Sequence, residues 1–221
     1  MAKRQTYVVL GLGRFGFTLA KKLSDYNQDV IAIDKDLALV EKASPFVANA
    51  FCLDYSDIDA LKSAGVKDAD VGIVTTGSML DQEIQGILNL KELGIQLVLA
   101  KATDHKASVL LKKVGADETI SPEHDTAIRC AKKLISKDIL DLFDIDSDNI
   151  MFEMKVQSNW VNHSLIELNL RNRFSLNVVG VKRNDKLNVN INPEDKFKED
   201  DIVLLVAHNS IFDNFNELNS I

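Results

Sequence analysis

The sequence predicts an α/β fold, a doubly wound parallel sheet followed by a second, smaller α+β domain. Runs of Val, Ile and Leu alternate with helix-period segments as far as Ile120, and such continuous apolar runs are typical of strands covered on both faces. Three helical segments end in the same short motif, and a glycine-rich loop directly follows the first strand. Beyond Asp141 the alternation stops, which predicts the second domain.

Six apolar runs are predicted as the parallel strands. They are Tyr7–Leu10, Val30–Ile33, Val47–Leu53, Val71–Thr75, Leu97–Lys101 and Glu118–Ile120. Three helices between them end in the segments Leu61–Gly65, Leu90–Gly94 and Leu111–Gly115. A glycine past the last turn takes the left-handed conformation, and the lysine after each leucine complements the helix dipole. The repeated motif indicates βαβ units, whose right-handed crossovers make the sheet parallel.

A further helix is predicted after Ser121, with Pro122 at its first position and its end near Lys137. Its apolar residues recur at spacings of 3, 4 and 4 and form a stripe of Ile128, Ala131, Ile135 and Ile139. Two interpretations stay open. The stripe packs on the helix's own sheet, or it packs on another subunit.

An acidic, polar segment separates the two predicted domains. It contains Asp141, Asp144, Asp146, Asp148 and Asn149. We therefore expect a first domain over residues 1–137, a linker over 138–148 and a second domain over 149–221.

The second domain is predicted to hold four strands, a short helix at Ser164–Leu170 and a hairpin turn at Arg183–Lys186. The strands are Ile150–Val156, Leu176–Lys182, Leu187–Ile191 and Ile202–Ala207. Ile211, Phe215 and Leu218 indicate a small amphipathic helix at the end. Because roughly 75 residues bury only a small core, we expect this domain to dimerise.

Composition excludes several classes of partner and site. Lys and Arg number 26 against 33 Asp and Glu, a net charge of −7, which disfavours nucleic acid as a partner. No apolar stretch is long enough to span a membrane and no secretory signal precedes the first strand, so a cytoplasmic protein is expected. Cys52 and Cys130 are too few for a disulfide or zinc framework and are expected to be buried thiols.

The segment Gly11–Gly16 reads GLGRFG, a GxGxxG motif between the first strand and the helix predicted over Arg14–Tyr26. This context is that of the Rossmann-type dinucleotide fingerprint. Gly11 would allow the tight turn, Gly13 the approach of a phosphate and Gly16 close helix packing, while the helix N-terminus attracts the anion. The alternative is that the glycines serve only the turn.

Asp34 ends the second strand 18 residues after Gly16, close to the spacing of the carboxylate that binds ribose hydroxyls. Its charge would repel a 2′-phosphate, which disfavours NADP and leaves NAD, ADP and ATP open. The alternative is that Asp34 only caps the next helix, predicted over Lys35–Ala43.

Arg14 adds charge-assisted donors to the glycine loop, which favours ligands with terminal phosphates. Other polar residues follow strands at the carboxyl edge, where open α/β sheets bind ligands. The residues predicted for the nucleotide site are Gly11, Gly13, Arg14, Phe15, Gly16, Asp34, Lys35, Asp54, Thr75, Thr76, Gly77 and Lys101.

Motifs of catalysis are missing. No tyrosine has a lysine four positions later, and neither GxSxG nor GxxxxGK[ST] occurs. His163 and His208 belong to no recognisable acid–base grouping. These absences count against an enzyme, and an NAD-dependent oxidoreductase subunit stays as the alternative.

The motifs together resemble the RCK (regulator of K⁺ conductance) family, in particular the regulatory subunits of Ktr/Trk-type potassium uptake systems. The matching segments are Val8–Gly16, Ala32–Asp34, Val98–Ala102 and Gly115–Glu123. The resemblance implies dimers that assemble into an octameric ring on a membrane potassium transporter, at the inner face of the cell membrane. It also implies that ATP favours the active state and ADP the inactive state.

The resemblance assigns roles to single residues. Arg14 would reach the terminal phosphate, Asp34 the ribose, Asp54 the adenine and Lys101 the phosphates. Glu123 would meet a cation, Mg²⁺, Ca²⁺ or Na⁺, at a subunit interface; its alternative role is to complement the helix dipole.

The second domain resembles the RCK C-terminal domain, which in some members binds cyclic di-AMP at its dimer interface. Asn169, Arg171 and Pro193 are the residues implied. The sequence departs from the family at Gly180, where a bulkier residue is usual. Arg171 and Arg173 have an equal alternative as a solvated helix end.

Overall fold

The computed structural model describes residues 4–76, 80–135 and 138–212. The chain divides into two compact units, Met1–His124 and Asp125–Ile221. The domain limits predicted from the sequence, 1–137 and 149–221, stay a prediction.

The first unit contains a six-stranded parallel sheet. Its strands are β1 (Thr6–Leu10), β2 (Asp29–Asp34), β3 (Asn49–Cys52), β4 (Val71–Val74), β5 (Leu97–Lys101) and β6 (Glu118–Ile120). They lie in the order β3-β2-β1-β4-β5-β6, and every pairing is parallel. The predicted doubly wound sheet is confirmed, with each strand within a few residues of its expected limits.

Five helices connect these strands. They are α1 (Arg14–Asp25), α2 (Leu37–Ala43), α3 (Ile58–Ser63), α4 (Leu80–Glu92) and α5 (His105–Val114). The predicted glycine stops are confirmed, because Gly65, Gly94 and Gly115 all have positive φ. These residues adopt the backbone conformation at low cost because they lack a Cβ atom.

Hydrophobic cores lie on both faces of the parallel sheet. Val8 and Leu10 of β1 belong to one cluster, whereas Val9, between them, belongs to the other. All three are fully buried. The continuous apolar strands therefore reflect burial on two sides, as the sequence indicated.

The helix after the sheet and the segment beyond it differ from the prediction. Helix α6 covers Pro122–Ile135, and Ile139 begins strand β7 (Ile139–Asp144) instead of extending the helical stripe. Residues 139–144 of the predicted linker form this strand, in which Ile139 and Leu142 are buried while Asp141 and Asp144 pair with lysines. Ile128 and Ala131 on α6 are exposed.

The second unit contains a five-stranded antiparallel sheet in the order β10-β9-β11-β8-β7. Its further strands are β8 (Asn149–Lys155), β9 (Asn177–Arg183), β10 (Lys186–Asn188) and β11 (Ile202–His208). Two short helices, α7 (Leu165–Leu168) and α8 (Leu170–Phe174), precede β9. The predicted α+β second domain is confirmed, although its helical segment continues to Phe174.

The hairpin β9–β10 turns at Asn184 and Asp185, both with positive φ, as in the tight turns that match strand twist. A side chain at Gly180 would collide with the methyl end of Leu187 across the hairpin. Leu187 therefore lies in the space that a side chain at Gly180 would enter.

Trp160 and Phe152 are fully buried in the core of the second unit, and Trp160 packs on Phe197. The cysteine prediction is wrong: Cys52 and Cys130 are exposed and free. In the expected C-terminal helix only Ile211 is described; Phe215 and Leu218 lie outside the described residues.

An ion pair between Arg183 and the buried carboxylate of Asp201 joins β9 to the loop before β11. Arg183 donates through Nε and one terminal nitrogen to the two carboxylate oxygens of Asp201, at 2.7 and 2.6 Å, and the backbone N–H of Lys198 donates at 2.9 Å. Burial by itself raises the pKa of Asp201, but these hydrogen bonds outweigh it and hold the pKa below its ordinary value. The contribution to stability is present above the ordinary pKa and is lost as the pH falls through the lowered one.

We expect Asp201→Asn to lower the free energy of unfolding at pH 7 by about 2 kcal/mol, because Arg183 loses a charged, buried partner. The difference from the unchanged protein should shrink below about pH 4, where the carboxylate gains a proton. Urea denaturation followed by the fluorescence of Trp160 measures both effects. Asp185→Asn, at a fully exposed position, is the control; an equal loss in the two variants would contradict the role of the pair.

Candidate functional site

The glycine loop forms a tight connection between β1, α1 and β4. Gly11 has φ +96° and donates its N–H to the carbonyl of Ile33 at 2.8 Å, while the Thr75 hydroxyl donates to the Gly11 carbonyl at 2.7 Å. A Cβ atom on Gly16 would collide with the Gly11 carbonyl oxygen and the Thr75 hydroxyl, whereas one on Gly13 would meet no atom within 4 Å. Gly16 is therefore needed for packing, and Gly13 borders open space.

Helix α1 begins directly at this open space. Gly13 is its N-cap, no side chain caps it, and its first turn contains no acidic residue. The first N–H groups of a helix lack partners within it and carry partial positive charge. Arg14 in the first turn is exposed, and Phe15 is half-buried. This helix end is suited to an anionic group.

Asp34 lies at the end of β2 and faces the loop. Its Oδ2 accepts the N–H of Leu12 at 2.5 Å, and its Oδ1 accepts the N–H of Asp36 at 2.9 Å. Asp36, not Asp34, caps α2, since Asp36 accepts the N–H of Ala38. The interpretation of Asp34 as a mere helix cap is therefore wrong. A carboxylate oxygen can accept a second hydrogen bond, so Asp34 keeps capacity for hydroxyl donors.

A cavity of about 310 Å³ lies at this carboxyl edge of the sheet. Its lining combines Gly11, Gly13, Asp34, Lys35, Asp36, Leu39, Tyr55, Thr75, Thr76 and Gln82. Six of these were predicted from the sequence. Arg14, Phe15, Gly16, Asp54 and Lys101 do not line it, and Gly77 lies outside the described residues.

Four charged residues that the sequence assigned to the site form two ion pairs. Lys35 lies 3.1 Å from Asp54, whose pKa is lowered first by the Ser56 hydroxyl and then, against the effect of burial, by the Ser56 backbone and Lys35. Lys101 lies 2.5 Å from Glu123, and its hydrogen bond lowers the pKa of that carboxyl. The side chain of Lys101 is 13% exposed and that of Glu123 is 71% exposed. In a single chain, Lys101 is therefore engaged by Glu123.

Tyr55 and Gln82 are site residues that sequence reasoning missed. Tyr55 is 4% exposed and donates its hydroxyl to Oε1 of Gln82 at 2.7 Å. Burial, and then the charge of Asp34, raises the pKa of Tyr55 to about 12. The phenol therefore stays neutral at physiological pH. Their positions in the sequence could have indicated the site. Tyr55 follows Asp54 just past the end of β3, and Gln82 lies in the first turn of α4.

In the second unit, Asn169, Arg171 and Pro193 line one cavity of about 360 Å³, together with apolar residues such as Leu165 and Ile166. Asn169 ends α7 with φ +48° and separates it from α8, which carries Arg171. The structure thus brings together the three residues that the resemblance implied. Arg173 lies instead against the ring of Phe174.

Within residues 4–76, 80–135 and 138–212, no three metal-binding side chains lie together in a way that could hold an ion. None of the helices described there is long and apolar enough to cross a membrane.

Two family models match the chain. The TrkA-N domain matches residues 7–122, and the TrkA-C domain matches residues 150–219. The first match covers more than half of the chain and contains the whole cavity beside the glycine loop.

Known proteins resemble the chain over most of its length. It is 29% identical to the Ktr system potassium uptake protein C of Bacillus subtilis, over 92% of each chain. It is 32% identical to the Ktr system potassium uptake protein A of Vibrio alginolyticus, over 82% of each.

Solved structures share the fold. The GsuK channel superimposes with a TM-score of 0.65 at 17% identity and covers 98% of this chain and 40% of its own. The TrkA-N domain of the Escherichia coli inner membrane protein ybaL gives 0.53 at 16% identity, over 61% of this chain and 99% of its own.

The relatives are potassium uptake proteins rather than enzymes, which agrees with the expectation from the sequence. The resemblance to regulatory subunits of Ktr/Trk-type systems is confirmed at the level of the family. The chain belongs to the family of potassium uptake proteins that join a TrkA-N domain to a TrkA-C domain, the family of the Ktr system proteins.

Proposed function

We propose that this chain is the nucleotide-sensing regulatory subunit of a membrane potassium uptake transporter. The observation that carries the proposal is the cavity in which the uncapped start of α1 and the carboxylate of Asp34 face the same space. An adenosine nucleotide has both matching groups: phosphates for the helix end and ribose hydroxyls for the carboxylate. The similarity to potassium uptake proteins supplies the process that the nucleotide would control.

ATP and ADP are the ligands we favour, and NAD(H) shares their adenosine half. Arg14 separates the candidates, because its guanidinium, exposed in the first turn of α1, would bind a terminal phosphate that only some of them have. The oxidoreductase alternative gains no support from the cavity. The tyrosine that lines the cavity, Tyr55, has a pKa raised to about 12. This value is far from the neutral range in which a general acid or base works best.

Gating requires that the two nucleotides stabilise different assemblies. We infer a ring of dimers, an octamer, at the inner face of the membrane, in which ATP favours the active shape and ADP the inactive one. Helix α6 supports an intersubunit role, because Ile128 is exposed and Leu134 is 85% exposed. Glu123 could meet Mg²⁺, Ca²⁺ or Na⁺ at an interface if Lys101 turned from it toward phosphate.

The second unit suggests a further signal, cyclic di-AMP, that would inhibit uptake. Its cavity combines the amide of Asn169, the cation of Arg171 and apolar walls, a mixture suited to a base beside a phosphate. A two-fold symmetric ligand matches a dimer in which each chain contributes one Arg171.

We expect Asp34→Ala to lower the affinity for ATP, ADP and NADH by at least about tenfold each, because all three lose the same charge-assisted hydrogen bond to ribose. Calorimetry measures the affinities, and potassium uptake by cells that depend on this protein should fall with them. Asp59→Ala, at an exposed position of α3, is the control. Unchanged affinities for all three nucleotides would remove Asp34 from the site and contradict the proposed function.

Arg14→Ala should lower the affinity for ATP more than the affinity for ADP, because only ATP offers the γ-phosphate to the guanidinium. We expect the ratio of the two dissociation constants to change by about tenfold, the size of one charge-assisted hydrogen bond. Arg4→Ala tests the loss of an exposed arginine elsewhere in the same unit. An equal loss for ATP and ADP would make Arg14 a general phosphate residue without a role in discrimination.

Arg171→Ala should abolish binding of cyclic di-AMP by the full chain, whereas Arg173→Ala should leave it within about twofold, since only Arg171 lines the cavity. Calorimetry on the unchanged protein should give one ligand per two chains. A stoichiometry of one per chain, or equal losses in the two variants, would contradict the shared site.

A further inference from the structure

Tyr55 occupies a position between the ribose carboxylate and helix α4. Its ring lines the cavity beside Asp34, and its hydroxyl donates to Gln82 in the first turn of α4 at 2.7 Å. The negative charge of Asp34 acts on the phenol, and so does a hydrogen bond with the side chain of Thr76. The hydroxyl therefore links Thr76, which follows β4, and Gln82 of α4 to the residue that follows β3.

A second attachment joins the same residue to the same helix. Asn89, one turn before the end of α4, is buried and donates its amide to the backbone carbonyl of Tyr55 at 2.8 Å. Gln85, one turn earlier, donates to the amide oxygen of Asn89 at 2.9 Å. Gln82, Gln85 and Asn89 follow one another at spacings of 3 and 4, so they share one face of α4.

The face of α4 that packs on the sheet is apolar, with Gly86, Ile87 and Leu90 buried. Of the three polar residues, Asn89 is buried, Gln82 is half-buried and Gln85 is exposed. A buried polar group must find a partner or lower the stability, and Asn89 finds it in the backbone of Tyr55, while Gln82 accepts from the side chain of the same residue. The position of the cavity wall and the position of α4 are thus coupled by hydrogen bonds.

We propose that Tyr55 is the positioning residue that transmits occupancy of the nucleotide cavity to helix α4. This inference rests on the proposed nucleotide site. Gln82 is half-buried, so while the cavity holds no ligand, water competes with the phenol for its amide oxygen. An adenosine group on Asp34 excludes that water, and a hydrogen bond shielded from water is harder to break. Binding therefore makes the Tyr55–Gln82 bond persistent and protects α4.

The test is amide hydrogen exchange of the full chain with and without saturating ADP, with Tyr55→Phe compared at equal saturation. In the unchanged protein, ADP should slow exchange at residues 84–89 of α4 about fivefold more than in α5, which does not line the cavity. In Tyr55→Phe, ADP should slow amide exchange in the two helices equally, because the ring stays and only the hydroxyl that bonds Gln82 is lost. A purely structural role of the tyrosine would lower stability without equalising the helices.

Tyr26→Phe is the matched control, since Tyr26 is 71% exposed at the end of α1. It should leave the difference between α4 and α5 unchanged. If Tyr55→Phe does not fold, Gln82→Leu removes the same bond from the acceptor side and should equalise the helices in the same way.

The outcomes separate this inference from the function on which it rests. If the unchanged protein binds no adenosine nucleotide, the proposed function itself fails. If it binds ADP but α4 and α5 are slowed equally, or if the folded variant keeps the larger effect at α4, Tyr55 does not transmit occupancy and only the inference is overturned.

Discussion

The first unit depends on the close approach of α1 to the glycine loop, which is possible only because Gly16 has no side chain. This approach places the start of the helix beside the end of β1 and lets the Thr75 hydroxyl bond the Gly11 carbonyl. Asp34 then closes the loop from the other side through the N–H of Leu12. A single packing constraint thus brings a positive helix end and a carboxylate to one cavity, the two groups on which the proposed nucleotide site depends.

The two lysines that the sequence assigns to the site both form ion pairs within the chain. Lys35 contacts Asp54 and Lys101 contacts Glu123, so neither lysine is ready to meet a phosphate without releasing a carboxylate. Such exchanges have small net free energies, because one ion pair replaces another. They agree with the proposed sensing function, which requires two states close enough in free energy for a ligand to select between them.

Much of the fold and part of the site could be predicted from the sequence, for identifiable reasons. The parallel strands are buried on both faces, so their apolar runs are continuous, and Gly65, Gly94 and Gly115 mark helix ends that require positive φ. Strand β7 was missed because its apolar residues alternate with aspartates, so that composition indicated a linker. Tyr55 and Gln82 were missed because they meet only through long-range folding and belong to no motif.

The central position of β1 has a consequence for how the chain acquires its structure. Tyr7 pairs with Val71, and the loop between these partners must close before the middle of the parallel sheet exists. The hairpin of the second unit, by contrast, pairs Arg183 with Lys186 through purely local contacts. Non-local pairing is slow and local pairing is fast. During synthesis, therefore, β1 lacks its β4 partner until Val71 has been made, and the apolar segment Val8–Leu10 cannot be enclosed from that side before then.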